Sequence, residues 1–571
     1  MKYIIIGGVA GGASTAARLR RIEEKAEIIL FEKGEFISYA NCGLPYYIGD
    51  VIKERNQLFV QTAANFKQRF NIDVRVSSEV TAIDPEKKTV SVTDLISGRQ
   101  YTETYDKMVL SPGAEPIRPP LPGIDLAGIF TLRNVNDTDR IKEYVQRKGI
   151  KKAVVIGGGF IGLEMAENLH HLGIAVTVVE MAKQVMAPTD YPIAALVQQH
   201  IRGKGVDLRL QTAVSGFEKT ATGIRVLVKE GEAMDADIVI LSIGVRADTK
   251  LAANAGLKLG AAKGIWVNEF LQTSNPDIYA VGDAIEFENP LTGQSINTYL
   301  AGPANKQGRI CANNIINGNT ESYKGAINTA IVKIFDMTVG TTGTAAKHLM
   351  AAEIPHIVST TRSGSHAGYY PGSQLMTIQI AFSPKTGRLL GAQVAGYEGA
   401  DKRLDVLATI IKLKGTIYDL AEFEHAYAPP YSSAKDPVNM AGFVAMNILE
   451  KKVSFVYWDE ATTLAEKGTL IDVRTKEEFS HGTIPGAINI PLDDLRDRMN
   501  EIPAGKPIFI YCQIGLRGYL AYRILKQNNF TEINNLSGGY SLWEACNAEV
   551  NALQKVAEKS SETAKPALAL A

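Results

Sequence analysis

Cysteine is the residue type in this chain with the clearest capacity for chemistry. The 571 residues contain four cysteines, Cys42, Cys311, Cys512 and Cys546, and no two of them have C-x-x-C spacing. Such sparse cysteines indicate neither a disulfide framework nor a zinc site, so no metal is expected. They are typical of a reducing compartment, which predicts a cytoplasmic location. Cys311 and Cys546 stand in no motif and are expected to be inert.

Cys42 lies in the segment SYANCGLP at residues 38–45, with no second cysteine nearby. Because no internal disulfide can form locally, the thiol is left with a mixed disulfide to a small thiol, a persulfide or a sulfenic acid. Residues 42–48 are expected to begin a helix. A helix N-terminus favours the thiolate, the nucleophilic form of cysteine. Cys42 is therefore the first candidate catalytic residue.

A strand, a glycine turn, a helix and a second strand precede Cys42. Residues 2–6 are apolar, residues 13–24 have a helical pattern, and residues 27–32 form a strand that ends in an acid. Such a turn lets the backbone approach a pyrophosphate, and the acid can accept hydrogen bonds from an adenosine ribose. Val9 stands where the G-x-G-x-x-G pattern has its middle glycine. The predicted dinucleotide contacts are Gly7, Gly8, Gly11, Gly12 and Glu32.

A second unit of this kind occupies residues 152–180 and fits the dinucleotide-binding fingerprint in full. Its second strand ends in Glu180, which suits the ribose diol of NADH and repels the 2′-phosphate of NADPH. Lys183 is nearby, so NADPH stays open. The predicted nucleotide contacts are Gly157, Gly159, Gly162, Glu164 and Glu180.

The chain then returns to the first unit. In residues 273–284 a strand delivers Asp283 after a glycine, which suits contact with a flavin's ribityl chain. One dinucleotide unit interrupted by another resembles the pyridine-nucleotide disulfide reductase superfamily over residues 1–447. Gly113, which ends the segment LSPG, stands at that family's A-T-G-like crossing. The resemblance implies FAD in the first unit, NAD(P)H in the second, and a third domain that makes a homodimer.

The C-terminal segment resembles a rhodanese in the motifs LIDVR and GTIPGAINIP and in the loop from Cys512 to Arg517. In rhodanese folds such a loop turns its N–H groups toward the cysteine sulfur. With the arginine, these groups stabilise a thiolate and an outer sulfane sulfur. Asp472 and Arg474 are expected to brace the domain. The alternative is a degenerate rhodanese that only binds, but the retained cysteine and arginine argue against it.

These resemblances predict an α/β protein with two Rossmann-like dinucleotide-binding domains, an α+β dimerisation domain and a C-terminal rhodanese α/β domain. The expected boundaries are residues 1–115 and 248–325 for the FAD-binding domain, 116–247 for the NAD(P)H-binding domain, 326–447 for the dimerisation domain, 448–456 for a linker, 457–556 for the rhodanese domain and 557–571 for a disordered tail.

The segment around Cys42 resembles the coenzyme A-disulfide reductases. Glutathione-type reductases carry C-x4-C, whereas the fifth residue after Cys42 is Tyr47. The resemblance implies that Cys42 holds coenzyme A as a mixed disulfide between turnovers. The implied coenzyme A contacts are Arg21, Ser38 and Asn41. Four cations either meet its phosphates or form a solvated helix face: Arg18, Arg20, Arg21 and Lys25.

A tyrosine-bearing loop at residues 424–436 stands where two-cysteine reductases have a His-Pro-Thr…Glu dyad. It resembles the pattern of coenzyme A-disulfide reductases, in which tyrosines of the partner subunit reach the active cysteine. A tyrosine O–H can hydrogen-bond a departing thiolate or donate its proton. The candidates are Tyr427, Tyr369 and Tyr370. The alternative is that they pack at the dimer interface; His425 is expected to be structural.

The combined hypothesis is an FAD-dependent enzyme that uses NADH to reduce CoA persulfide, CoA disulfide or polysulfide at Cys42, while Cys512 relays sulfane sulfur. It is similar to fusions of a CoA-disulfide reductase with a rhodanese. An NADH oxidase or peroxidase with a Cys42 sulfenic acid is one alternative, but Ala10 replaces the histidine of those enzymes. A sulfur carrier or sensor is another. The 61 basic and 61 acidic residues balance, so neither nucleic acid nor a membrane is an expected partner.

Overall fold

The computed structural model describes residues 1–563 and divides into two compact units. The first comprises residues 1–178, 214–228 and 232–328; the second comprises residues 179–213, 229–231 and the chain from residue 329 on. Within the described residues, no helix is both long and apolar enough to cross a membrane.

The first unit contains both glycine turns. Its strands are Lys2–Ile6, Glu27–Phe31, Asp73–Arg75, Ser78–Asp84, Thr89–Asp94, Gln100–Thr104, Lys107–Leu110, Ala114–Pro116, Ile129–Phe130, Lys152–Ile156, Ala175–Val179, Val214–Lys219, Ile224–Val228, Met234–Ala236, Ile238–Leu241, Val245–Ala247, Ile265–Trp266, Ile278–Ala280, Ile285–Glu288 and Ser295–Asn297. Its α-helices are Ala10–Ile22, Leu44–Ile48, Ala63–Phe70, Val135–Lys148, Phe160–His171, Lys250–Asn254 and Ala301–Asn317.

The first sheet of this unit is parallel throughout. Its strands are ordered Ile278–Ala280, Lys107–Leu110, Lys2–Ile6, Glu27–Phe31 and Asp73–Arg75. Strand residues such as Ile4, Ile5 and Leu30 are fully buried, as expected for a sheet covered on both faces. Because parallel strands end at one edge, the residues that follow them converge there, including the glycine turn and Glu32.

The second glycine turn follows a parallel arrangement of the same kind. Lys152–Ile156 pairs with Ile238–Leu241, which pairs with Ile129–Phe130. The helix Phe160–His171 begins directly after the turn. The prediction of two Rossmann-like dinucleotide-binding domains is thus confirmed.

The second unit carries the remaining elements. Its strands are Asp207–Arg209, Ala330–Ile334, Met337–Gly343, Ile357–Gly364, Leu375–Phe382, Leu389–Gly396, Phe455–Val456, Thr469–Asp472, Ile488–Asn489, Ile508–Tyr511 and Ile533–Leu536. Its α-helices are Tyr191–Gly203, Ala346–Ala351, Ala400–Lys412, Ile417–Glu422, Pro437–Leu449, Leu464–Lys467, Lys476–Ser480, Leu516–Gln527 and Gly539–Thr563.

Two five-stranded sheets organise the second unit. The first is antiparallel, in the order Ala330–Ile334, Met337–Gly343, Leu389–Gly396, Leu375–Phe382, Ile357–Gly364. The second is parallel, in the order Phe455–Val456, Ile533–Leu536, Ile508–Tyr511, Thr469–Asp472, Ile488–Asn489. An α+β domain followed by a small α/β domain agrees with the predicted dimerisation and rhodanese folds.

Two predicted boundaries differ from the structure. The strand Phe455–Val456 pairs with the rhodanese strand Ile533–Leu536, and Val453 is buried in the rhodanese core. The end of the expected linker at 448–456 therefore belongs to the rhodanese domain. The helix Gly539–Thr563 also continues into the tail expected to be disordered from residue 557. The rest of that tail, residues 564–571, lies outside the described residues.

The rhodanese domain packs on other parts of the second unit. Trp458 stacks on Tyr191, which begins the helix Tyr191–Gly203, with ring centroids 5.0 Å apart. Gln198 of that helix donates to the buried carboxylate of Glu549 at 2.9 Å. A partly buried aromatic contact and a buried hydrogen bond therefore connect the domain to the helix Tyr191–Gly203.

Candidate active site

The first glycine turn is shaped by close backbone approaches. Gly7 has φ +97°, and a Cβ at this residue would lie 2.1 Å from the carbonyl oxygen of Ser111. A Cβ at Gly12 would lie 1.8 Å from the carbonyl oxygen of Gly7. Both positions therefore require glycine. Val9, the departure from the usual pattern, is the residue before the helix Ala10–Ile22, and no side chain caps that helix.

The turn forms one wall of a cavity of about 1210 Å³ in the first unit. Glu32 lines it and accepts hydrogen bonds from the N–H groups of Gly8 at 2.8 Å and Gly34 at 2.7 Å. Burial raises the pKa of Asp283 to about 6 at the same cavity, and the charge of Arg133 opposes the shift. The predicted residues that line it are Gly7, Gly8, Gly11, Glu32, Asn41, Gly113 and Asp283. The size of the cavity, the glycine turn on its wall and the carboxylate of Glu32 all fit FAD.

The second glycine turn repeats the geometry of the first. Gly157 has φ +111°, and its Cβ would lie 2.3 Å from the carbonyl oxygen of Ser242. A Cβ at Gly162 would lie 2.0 Å from the carbonyl oxygen of Gly157, whereas Gly159 faces open space. This turn therefore fits a second dinucleotide. Glu180, the acid predicted to contact the nucleotide ribose, belongs to the second unit. Its carboxylate accepts a hydrogen bond of 2.8 Å from the Ala182 N–H.

Cys42 lies on a short 3-10 turn, Asn41–Gly43, and is exposed. Surrounding protein atoms desolvate the thiol, which raises its pKa, and the carboxylates of Glu164 and Asp283 raise it further. The expectation that a helix N-terminus favours the Cys42 thiolate is therefore wrong. The helix that follows, Leu44–Ile48, is only five residues long, and the carboxylates act against the thiolate.

Glu164 lies close enough to Cys42 to act on its thiol, which its sequence motif did not indicate. Its carboxylate accepts a long hydrogen bond of 3.4 Å from the Tyr46 hydroxyl. Burial raises the pKa of Glu164 to about 7, the bond from Tyr46 lowers it, and the charge of Glu167 raises it. A residue predicted to contact a nucleotide thus acts electrostatically on Cys42.

The three residues expected to contact coenzyme A differ in their hydrogen bonds and in their exposure. Ser38 has φ +45°, and its backbone N–H donates to the carbonyl of Gly8 at 2.8 Å, which ties the Cys42 segment to the glycine turn. Arg21 donates to the Ala17 carbonyl of its own helix at 3.0 Å. The Asn41 side chain is exposed.

Arg20 does not belong to a solvated cationic face. It is 5% exposed and donates to the carbonyls of Phe70, Ala26 and Asn71, each at 2.8 Å. Its side chain ties the first helix to the chain around residue 70. Arg18, by contrast, donates to the Asn313 side chain at 2.9 Å, and Lys25 is exposed.

Two of the three candidate tyrosines form a pair. The hydroxyls of Tyr369 and Tyr427 lie 2.9 Å apart on the surface of the second unit, and this hydrogen bond raises the pKa of Tyr369. Tyr370 instead packs edge-on against His366, with ring centroids 5.6 Å apart. His425 lies 3.1 Å from the carbonyl of Ser433.

Arg403 joins the two loops that carry these tyrosines. It is 2% exposed, and its guanidinium donates to the carbonyls of Ser365 at 2.9 Å and Tyr431 at 3.2 Å. Asp436 neutralises it at 2.7 Å. No motif identifies this residue in the sequence.

Cys512 lies buried at the start of a loop that turns toward its sulfur. The N–H of Gly515 donates to Sγ at 3.2 Å, and Gly515 has φ +107°. The hydrogen bonds to Glu478 and, to a smaller extent, the charge of Cys512 raise the pKa of Arg517, so its guanidinium and the thiol interact electrostatically. Glu478 accepts two hydrogen bonds of 2.6 Å from Arg517. The side chain that orients Arg517 was not among the predicted site residues, although it lies within the rhodanese-like sequence.

The residues expected to brace the rhodanese domain also contact its loop. Arg474 donates to Asp472 at 2.7 Å, and both side chains are almost fully buried. The remaining guanidinium N–H reaches the Gln513 side chain of the loop at 3.2 Å. Cys311 and Cys546 are buried, and burial raises the pKa of each thiol, which suits inert packing residues.

Domains of two protein families match three successive parts of the chain. Pyridine nucleotide-disulphide oxidoreductase matches residues 1–308, the dimerisation domain of the same family matches residues 329–437, and the rhodanese-like domain matches residues 458–546.

Individual relatives cover between 78% and 96% of the chain. Coenzyme A disulfide reductase of Staphylococcus haemolyticus is 35% identical over 447 residues, which are 78% of this chain and 100% of that protein. The crystal structure of reduced Bacillus anthracis CoADR-RHD has a TM-score of 0.94 and 49% identity, covering 96% of this chain and 98% of its own. A NAD-dependent persulfide reductase from A. fulgidus has a TM-score of 0.90 and 38% identity, covering 95% of this chain and 100% of its own.

Proposed function

We propose that this chain, which belongs to the pyridine nucleotide-disulphide oxidoreductase family, is an NADH-dependent flavoenzyme. Its proposed substrates are CoA persulfide and CoA disulfide. One observation carries the proposal. Cys42 is a single exposed cysteine whose neighbour Asn41 lines the dinucleotide cavity, and the cavity residue Asp283 acts on its thiol. To form a disulfide or persulfide, a lone thiol beside a flavin site needs a second sulfur from a ligand.

The glycine turns hold the two cofactors in this proposal. Gly7, Gly11, Glu32 and Asp283 would hold FAD, and Gly157, Gly159 and Gly162 would hold the NADH pyrophosphate. FAD, when bound, supplies the chemistry that links two-electron oxidation of NADH to reduction of a sulfur–sulfur bond. The assignment of Glu180 to the NADH ribose rests on sequence spacing and stays a prediction.

Cys42 provides the nucleophile. Its thiolate attacks the CoA sulfur of the substrate, the substrate's S–S bond breaks, and CoA thiolate or hydrosulfide leaves. Cys42 then remains as a mixed disulfide with CoA, which two electrons and two protons convert to the free thiols. Arg21, Ser38 and Asn41 are the proposed coenzyme contacts. The proposed subunit association is a homodimer, in which Tyr369 and Tyr427 approach the partner subunit's Cys42.

Cys512 would carry the sulfur atom before its reduction. Its thiolate accepts sulfane sulfur and returns it to CoA, and Gly515 and Arg517 supply the donors that stabilise a terminal sulfur anion. A non-turnover sulfur carrier would use the same loop without oxidising NADH.

The proposal is tested by following NADH loss with five acceptors in turn: CoA persulfide, CoA disulfide, polysulfide, peroxide and oxygen. CoA persulfide or CoA disulfide is expected to be fastest. Faster turnover with peroxide or oxygen would favour an NADH oxidase or peroxidase. Negligible turnover with every acceptor, together with sulfur on Cys512, would favour a carrier.

A further inference from the structure

We infer that Glu478 sets the donor specificity of the rhodanese loop: by pairing with Arg517, it makes Cys512 take sulfur from a persulfide on an organic thiol rather than from thiosulfate. The inference deepens the proposed function and rests on the sulfur-carrying role of Cys512. Glu478 acts through Arg517 and is therefore a positioning residue for this reaction.

The first observation is the charge balance around the Cys512 sulfur. The loop CQIGLR has a single basic side chain, Arg517, and Glu478 accepts from two of its nitrogens at 2.6 Å. The pKa of Glu478 is lowered to about 2, first by these hydrogen bonds, so the carboxylate is ionised at neutral pH. The second guanidinium that contacts the loop, Arg474, is paired with Asp472. Two cations are matched by two anions.

The second observation is the apolar rim of the loop. Leu516 is 55% exposed and Leu520 is 44% exposed, one turn apart on the helix Leu516–Gln527 that starts at the loop. Ile514, within the loop, is half-buried. These side chains offer contact to an alkyl chain and no compensation for a multiply charged anion.

These features favour one class of sulfur donor. Thiosulfate carries two negative charges on a small oxyanion, whereas the reacting group of an organic persulfide carries at most one negative charge and is joined to an alkyl arm that holds any further charges away from the sulfur. A dianion that approaches a thiolate needs uncompensated positive charge, which the pairing with Glu478 removes. The N–H of Gly515, which donates to the Cys512 Sγ, carries no net charge and does not distinguish the two donors.

The transfer itself is balanced without a redox partner. The Cys512 thiolate attacks the outer sulfur of R–S–SH, the S–S bond breaks, and R–S⁻ leaves and takes the proton of the persulfide. Cys512 is left as Cys–S–S⁻. With thiosulfate the leaving group would be sulfite.

The test measures sulfur loading on Cys512 in the full-length protein by mass spectrometry of the Cys512 peptide, with glutathione persulfide or thiosulfate as the donor. We expect the unaltered protein to load faster from the persulfide. Glu478→Gln removes the charge but keeps the shape, and it is expected to raise the ratio of thiosulfate to persulfide rates on the order of tenfold. Glu477→Gln, an exposed neighbour with the same charge change, should leave the ratio unchanged.

Glu478 also accepts the N–H of Thr475 at 2.9 Å, so its replacement can weaken the helix Lys476–Ser480. Glu478→Asp, which keeps the charge, and added salt, which screens repulsion, provide independent measurements. Glu478→Asp is expected to retain the low ratio, and salt is expected to raise thiosulfate loading in the unaltered protein. Equal loading from both donors in the unaltered protein, or an unchanged ratio in Glu478→Gln, would overturn the inference. Because loading is measured without NADH, it is separable from failure of the proposed reductase.

Discussion

Cys42 is exposed on a short turn with two carboxylates acting on its thiol, whereas Cys512 is buried in a loop where an N–H donates to its sulfur and the Arg517 guanidinium interacts with it electrostatically. The carboxylates Glu164 and Asp283 oppose a negative charge on Cys42. The Cys512 loop holds its stabilising donors in place through Glu478 and the helix that follows.

The two sites show how one chain can divide sulfur chemistry between two thiols. A preorganised loop stabilises a terminal sulfur anion by itself, which suits storage and transfer. A thiol beside carboxylates gains little from its own surroundings, which suits a step that is driven by a bound substrate and cofactor.

The largest effect is expected at Arg517. Replacing Arg517 with Gln removes the charged donor from the Cys512 loop and leaves Glu478 unpaired. Sulfur loading on Cys512 should fall on the order of 100-fold, because bonds to charged groups contribute about 1.5–3 kcal/mol. Loading measured by mass spectrometry should stay unchanged in Lys526→Gln, an exposed substitution on the same helix. A fall of less than about threefold would show that the backbone alone activates Cys512.

A smaller effect is expected at the tyrosine pair. Tyr427→Phe removes one hydroxyl of the pair at 2.9 Å and leaves Tyr369 in place. The turnover number with CoA disulfide should fall about tenfold, the size of one lost hydrogen bond, with little change in KM. Tyr431→Phe is a matched control, because this exposed tyrosine lies on the same loop. An equal fall in turnover number for Tyr427→Phe and Tyr431→Phe would show that the Tyr369–Tyr427 pair has no particular role in turnover.

Glu164→Gln tests whether the Glu164 carboxylate opposes a negative charge on the Cys42 thiol. The Glu164 carboxylate raises the pKa of the Cys42 thiol, so its removal should lower that pKa. The pH profile of Cys42 alkylation by iodoacetamide should then shift toward lower pH. The profile of Cys512 should not move, and Glu54→Gln, an exposed change in the same unit, should leave both profiles in place. A shift toward higher pH would contradict the assigned cause.

The smallest effect concerns stability in acid. The pKa of Glu478 is lowered to about 2 from 4.5, so its contribution is present above pH 4.5 and is lost as the pH falls toward 2. The pair is about one-third exposed, so the loss should be roughly 1 kcal/mol or less. Urea unfolding of the rhodanese domain should be measured at pH 6 and pH 3. The loss of unfolding free energy between these two pH values should be smaller in Glu478→Gln than in the unaltered protein. The same loss in both proteins would exclude this pair as its source.

The order of domains was predictable because glycine turns have strict local requirements. Gly7, Gly12, Gly157 and Gly162 stand where any Cβ would collide with the backbone, so the pattern survives in the sequence. The reactive loop of the rhodanese domain is likewise continuous in sequence, from Cys512 to Arg517.

Contacts between distant segments could not be predicted in the same way. Glu164 stands in a nucleotide fingerprint, yet it acts on Cys42 through a fold that brings together residues far apart in sequence. Arg20 looked like part of a cationic face, but its carbonyl partners around residue 70 appear only in the folded chain. The expected linker ended too late because the strand Phe455–Val456 is too short to show an apolar period.

The division of labour between the two thiols is tested most directly by NADH oxidation in Cys42→Ser and Cys512→Ser, each with CoA disulfide as the acceptor. We expect NADH oxidation at the background rate in Cys42→Ser and at an unchanged rate in Cys512→Ser. Retained turnover in Cys42→Ser, or loss of turnover in a folded Cys512→Ser with FAD bound, would contradict this division of labour.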